Sequence, residues 1–287
     1  MRAAPAPRVS RPIVSWPIWF ARVFGAFVRR ELSALGGYRT AFFLRLFGFA
    51  LAVGSLLFLS RFVGAAANPH LTAYGGNYLG FAVIGLLGAE FQQVGVSVLA
   101  QRIRMAQVMG TLEAEVATPA PPWMVLGAPP AYEFGVAALR SAGYLLGAKL
   151  LLGLDLSRVC WLSLVVGIPL IVGAFSGLGL LAAGTTMLVR RMNPVSLVIG
   201  SLSVFLSGVM YPVTVLPVWL RGAGALLPLT HALAVLRGAL LVGAGPGQLR
   251  ESFLALLVFA SILAPLGVAV FAYALRRARV DGSLSHY

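Results

Sequence analysis

Six apolar runs, each about as long as a bilayer is thick, are separated by shorter polar stretches along this chain. An α-helix rises about 1.5 Å per residue, so about 20 apolar residues cross roughly 30 Å of hydrocarbon. Lipid offers no partner to a bare N–H or C=O, so runs of this kind are predicted to be helices. With 59% hydrophobic residues and a mean hydropathy of +0.91, the chain is not built around one water-facing core. The expected fold class is all-α: a polytopic membrane protein of six transmembrane helices.

The chain has 22 basic residues against 8 acidic ones, a formal charge of +14. The charges sit in the tails and between the apolar runs, so they are read as topology signals and as attraction to anionic membrane lipid rather than as a nucleic-acid site. Cys160 stands alone, which excludes an intrachain disulfide and a cysteine metal cluster. The N-terminus has arginines followed by Trp16, Trp19 and Phe20, without the short apolar core and small-residue site of a cleaved signal peptide.

Met1–Ser15, rich in Pro, Ala and Arg, is expected to be a disordered cytoplasmic tail. Over residues 16–37 the periodicity turns helical, with Trp16, Trp19, Phe20, Val23, Phe24 and Phe27 on one side and Arg22, Arg29 and Ser33 on the other. That pattern suits an amphipathic helix lying in the interface. The transmembrane domain, 38–275, then contains spans at about 40–63, 78–100, 133–152, 159–189, 194–215 and 253–275, before a basic tail at 276–287. Gly127-Ala128-Pro129-Pro130 is expected to break the entry to the third span, and Gly167 with Pro169 to kink the fourth. Arginines crowd the N-terminal tail, the 101–132 loop, the Arg190–Arg191 turn and the C-terminal tail. The opposite loops hold only Arg158, Arg221 and Arg237. The positive-inside rule places both termini in the cytoplasm, and an even number of spans agrees.

The 101–132 loop is the most specific internal segment. Gly110–Pro119 reads GTLEAEVATP; Met109–Val116 suits a short helix with Thr111 as N-cap and acids in its first turn, stopped by Pro119, Pro121 and Pro122. Such a rigid plug between two membrane helices suits the groove of a cytosolic partner. GTLEAEVATP followed by Pro-Pro-Trp resembles the coupling segment of type-2 ATP-binding-cassette (ABC) exporter permeases. Ser207–Leu220 (SGVMYPVTVLPVWL) and Leu226–Leu240 (LLPLTHALAVLRGAL) resemble the end of their fifth span and their outer re-entrant hairpin. The resemblance implies a membrane subunit that binds no cofactor itself, a separate cytosolic ATPase carrying ATP and Mg, and a second permease subunit, identical or different. It makes Gly110, Thr111, Glu113, Glu115, Thr118 and Pro119 the coupling residues. The chain has no G-x-x-x-x-G-K-[ST] phosphate loop, in keeping with a division of labour.

Glu90 lies near the middle of the second span, with Gln92 and Gln93 beside it. A carboxylate there costs several kcal/mol unless paired, protonated or wet. Arg140 on the antiparallel third span is within reach, so Glu90, Gln93 and Arg140 form either a structural polar pair or part of a substrate path. Gly143–Gly147 and Gly173–Gly177 fit G-x-x-x-G, a signature of close helix packing inside a subunit or at a dimer seam. The connection 212–245 is too apolar for a water-exposed loop. Pro212, Pro217 and Pro228 divide it into short helical pieces, and Tyr211 and His231 complete an outer re-entrant lid, His231 as a hydrogen-bonded structural residue. A catalytic alternative, with Ser176 or Ser207 activated by His231, lacks a G-x-S-x-G elbow. Three histidines and few acids make no metal constellation. The reading is therefore an exporter subunit in the cytoplasmic membrane for a lipophilic, drug-like or lipid-linked cargo. Export of a polysaccharide or glycolipid is the alternative; an intramembrane hydrolase or a non-transporting membrane scaffold is a distant third.

Overall fold

A computed structural model describes residues 44, 47–48, 51, 54–61, 71, 74, 76–110, 122–189 and 194–280. The chain divides into units Met1–Leu44 and Arg45–Tyr287, and the architecture below is that of the second. The tails 1–15 and 281–287 and the interfacial helix expected at 16–37 lie outside the described residues, as does most of the first span, which is helical at 54–61.

Among the described residues that follow, the α-helices are α1 Tyr78–Val108, α2 Pro122–Leu152, α3 Trp161–Val189, α4 Pro194–Leu206, α5 Val218–Ala225, α6 Pro228–Arg237 and α7 Arg250–Val280. A 3₁₀ turn at Val213–Val215 precedes α5, and a π-turn at Gly238–Val242 extends α6. No strand occurs among the described residues. α1, α3 and α7 are long and apolar enough to cross a membrane. The pair Val218–Ala225 and Pro228–Val242, bent by 89°, qualifies together as a broken span or a re-entrant loop. α2 matches α1 in length but contains Glu133, Arg140 and Lys149 and falls short of the same apolar standard.

Local chemistry explains the helix ends. Asn77 caps α1, its Oδ1 accepting the Gly80 N–H at 3.1 Å. At the other end Gly110 takes φ +67° and its N–H bonds the Gln107 carbonyl at 3.2 Å. This left-handed residue just past a helix terminus is where glycine carries no Cβ penalty. α1 is therefore 31 residues, about 46 Å, and runs eight residues past the expected end of its span at Ala100.

Three further sequence expectations are revised. The 101–132 loop shrinks to the stretch between Val108 and Pro122, because helix claims both its flanks. α2 runs as one helical span through Gly127–Pro130, although its two prolines have no N–H to donate. The fifth span, expected to reach Val215, loses its α-helix at Leu206. Gly208 sits at φ +69° and Pro212 cannot donate, so the backbone turns there.

The core is built by close helix crossings. α3 packs most extensively on α7. A Cβ on Gly177 would lie 2.7 Å from Leu263 backbone and side-chain atoms, and one on Gly267 would lie 2.8 Å from the Gly177 carbonyl oxygen. Gly179 likewise lets α3 rest on the Gly95 carbonyl of α1. Around these crossings Phe91, Phe134, Phe175, Leu229, Leu233 and Leu256 form the main apolar cluster. The Gly173–Gly177 pair thus packs within the chain, Gly173 against Ala260 of α7. A Cβ on Gly143 or Gly147 would meet no other element of the described residues within 4 Å, and both lie beside exposed Leu139, Leu146 and Leu150.

Candidate functional site

The C-terminal end of α1 leads into the segment singled out in the sequence. Thr111, Glu113, Glu115, Thr118 and Pro119 lie outside the described residues, and Gly110 is the last described position before them. The helix expected over Met109–Val116 does not begin at Met109, which is instead the C-cap of α1, its N–H bonded to the Met105 carbonyl at 2.9 Å. Met105, Val108 and Met109 are exposed large apolar residues at this tip.

Halfway along α1, Glu90 Oε1 meets Arg140 Nη2 of α2 at 3.0 Å. The side chains are 30% and 28% exposed, so the pair joins two helices at the edge of the bundle rather than in its centre. Gln93 is exposed, and its side-chain Oε1 lies 3.5 Å from where a Gly200 Cβ would sit, which places it beside α4. Gln92, two residues from Glu90 and about 200° around the helix, is buried, with neither amide atom hydrogen-bonded to protein.

In and around the predicted lid, side chains bond to nearby carbonyls. The Tyr211 hydroxyl donates to the Phe205 carbonyl and the Tyr78 hydroxyl to that of Met210, at 3.1 Å in the second case. Pro212 precedes the 3₁₀ turn, Pro217 is the N-cap of α5 and Pro228 opens α6 at its first position, where a missing N–H costs nothing. Arg221 folds back on the carbonyls of Leu216 (2.7 Å) and Thr214. The elbow between α5 and α6 is closed by Thr230 Oγ1 donating to the Gly224 carbonyl at 2.6 Å. His231 Nε2 is 3.0 Å from the Ala225 carbonyl, and its ring lies 5.9 Å from that of Phe259. Ser207 is buried without a partner, so this histidine faces a carbonyl rather than the serine hydroxyl. No cluster of His, Cys, Asp and Glu suited to a metal occurs among the described residues.

One residue that sequence reasoning counted only as a loop charge proves to be the most deeply buried cation of the described chain. Arg237, the last residue of α6, is 3% exposed. Its Nε and Nη2 each donate to the Phe81 carbonyl at 3.2 Å, and Nη2 also reaches the Val209 carbonyl at 2.8 Å. The guanidinium carbon lies 3.4 Å from the Phe81 ring centroid and 5.9 Å from that of Tyr74, within cation–π range. Gly85 leaves the room: a Cβ there would fall inside contact of the Val209 carbonyl oxygen and 2.7 Å from Nη2. A signal was available, since Leu229, Leu233 and Arg237 recur at four-residue spacing and share one helix face. An arginine in line with two core leucines is placed to be buried.

No curated protein matches the chain. The family model for the ABC-2 type transporter matches residues 22–241, a stretch that takes in residues 110–119, the Glu90–Arg140 pair and the bent pair with Arg237. The chain therefore belongs to the ABC-2 type transporter family, whose members are transmembrane subunits that work with an ATP-binding-cassette ATPase.

Proposed function

We propose that this subunit is the permease of an exporter, moving a lipophilic, drug-like or lipid-linked cargo out across the cytoplasmic membrane. The observation that carries the reading is the family match, because it spans both the inner coupling segment and the outer hairpin in one continuous alignment. In this reading the chain has six spans with both termini in the cytoplasm, as its arginine distribution suggests. Beside α1, α3 and α7, the three further spans are α2, α4 and the one to which the helical stretch at 54–61 belongs. Two such subunits, alike or different, enclose the path, and the exposed α2 face at Gly143 and Gly147 leaves room for close approach between them. The exposed apolar faces of α3 and α7, including Trp161, Leu162, Val165, Leu254, Val258 and Ile262, are suited to lipid.

ATP and Mg belong to the partner ATPase, and this chain carries no nucleotide site. Closure of two ATPases on ATP would drive the 110–119 segments together and switch the cavity from inward to outward access. Glu90, Gln93 and Arg140 supply polar groups along a mostly greasy route, and the bent pair of α5 and α6 serves as its outer lid. Apolar spans with few charges favour a lipophilic cargo over a bare glycan; export of a polysaccharide or glycolipid uses the same architecture. The test is Glu113→Arg. It is expected to lose co-purification with the ATPase from membranes, or to leave ATP hydrolysis running without export. Unchanged co-purification together with unchanged export would remove residue 113 from the coupling role.

A further inference from the structure

Arg237 joins three elements through one planar group. It belongs to α6 of the outer hairpin, one acceptor (Phe81) belongs to the outer end of α1, and the other (Val209) belongs to the turn that follows α4. No carboxylate pairs with it among the described residues. A buried guanidinium whose hydrogen-bonded partners are carbonyls is unusual, because ion pairing is the common answer to a buried charge. The fork geometry of arginine allows it, as two nitrogens hold two oxygens at fixed positions while the flat face stacks on Phe81. Gly85 is part of the same arrangement, since any side chain at 85 would occupy the space of the Val209 carbonyl and Nη2.

The consequence is mechanical. Moving the hairpin off α1, or parting the outer ends of α1 and α4, requires Nη2 to give up at least one of its two oxygens. Both are neutral carbonyls, which water can replace as the elements separate. We infer that Arg237 is the positioning residue of the outer lid, a clasp that holds the hairpin on α1 and on the α4 turn and must release for the outer gate to open. The clasp itself follows from the contacts; its role in gating rests on the permease reading above.

The chain carries its own reporter. Two residues beyond Arg237, the Ala239 carbonyl accepts the Cys160 N–H at 2.9 Å, and the Ala244 carbonyl accepts the Ser163 hydroxyl at 2.7 Å. The start of α3 is thus tied to the hairpin exit, and Cys160, partly exposed, is the sole cysteine of the chain. Ser163 Oγ also lies 3.4 Å from Cys160 Sγ, so a hairpin that lifts takes the Ala244 carbonyl away and frees this hydroxyl to donate to the thiolate, which speeds its reaction.

The experiment is the rate of maleimide labelling of Cys160 in the full chain, first purified in lipid nanodiscs and then in membranes that also contain its ATPase. Arg237→Met is expected to label several-fold faster than the parent, with helical content and elution volume retained. Arg237→Lys, which keeps the charge but not the fork, is expected to fall between them. In the assembled transporter ATP should speed labelling of the parent and leave Arg237→Met, already released, unchanged; a residue that merely supports the fold would not produce that difference. If folded Arg237→Met labels at the parental rate, the clasp is overturned. Should that variant not fold, Arg237→Lys and Gly85→Ala decide, and parental rates in both overturn it. If the variants label fast but ATP leaves the parent unchanged, the clasp stands as an anchor and its gating role fails.

Discussion

Two arginines of the helical bundle solve the same problem in opposite ways. Arg140 on α2 meets a carboxylate, Glu90, across a helix pair, and both side chains keep nearly a third of their surface open. Arg237 on α6 is almost wholly enclosed and has two carbonyls and a ring. An ion pair at an edge can loosen without leaving a bare charge in the core. A buried guanidinium cannot, so the elements around Arg237 are held to one arrangement until at least one of its carbonyl partners is exchanged. The difference is one of specificity: the first contact ties two helices, the second sets the relative position of three elements.

Three substitutions measure that difference in thermal unfolding of the solubilised protein. Gly85→Val should have the largest effect, a loss of about 3 kcal/mol or more, because it forces branched carbon into the space of the Val209 carbonyl. A melting temperature within error of the parent would mean that α1 and the α4 turn are not packed as described. Arg237→Met should come next, at about 2 kcal/mol, mostly from a buried Val209 carbonyl left without its donor. Glu90→Gln should cost least, about 1 kcal/mol or less, since partial exposure weakens the pair and leaves Arg140 some access to water. If Glu90→Gln proved costlier than Arg237→Met, the ranking of edge pair and clasp would be reversed. A double-mutant cycle with Arg140→Gln would then locate the missing coupling.

Much of this was legible in the residues. Glu90 and Arg140 could be matched because they stand out in apolar runs on neighbouring antiparallel helices, where a charge must find a partner. The proline-divided outer segment was legible because each proline marks a helix start by what it cannot donate. Helix ends were harder. α1 continues through Gln101, Arg102 and Arg104 because a helix outlasts its hydrophobic stretch until a residue such as Gly110 stops it. The end of α4 at Leu206 depends on Gly208 adopting a left-handed conformation, one of several that glycine allows. Arg237 carried a half-signal: its spacing from Leu229 and Leu233 points inward, but backbone carbonyls are present at every residue and no sequence pattern says which will be free to accept.

The sequence by itself determined the class of the molecule, its apolar helices and its membership of the ABC-2 family. Those properties follow from composition and period along one chain, which the bilayer and the helix repeat translate directly into structure. Only the tertiary structure decided which glycines are crossings and which face open space, and which arginine meets a carboxylate and which meets carbonyls. Those outcomes depend on distances of a few ångströms between residues as far apart as Phe81 and Arg237, and such distances exist only once the helices have packed.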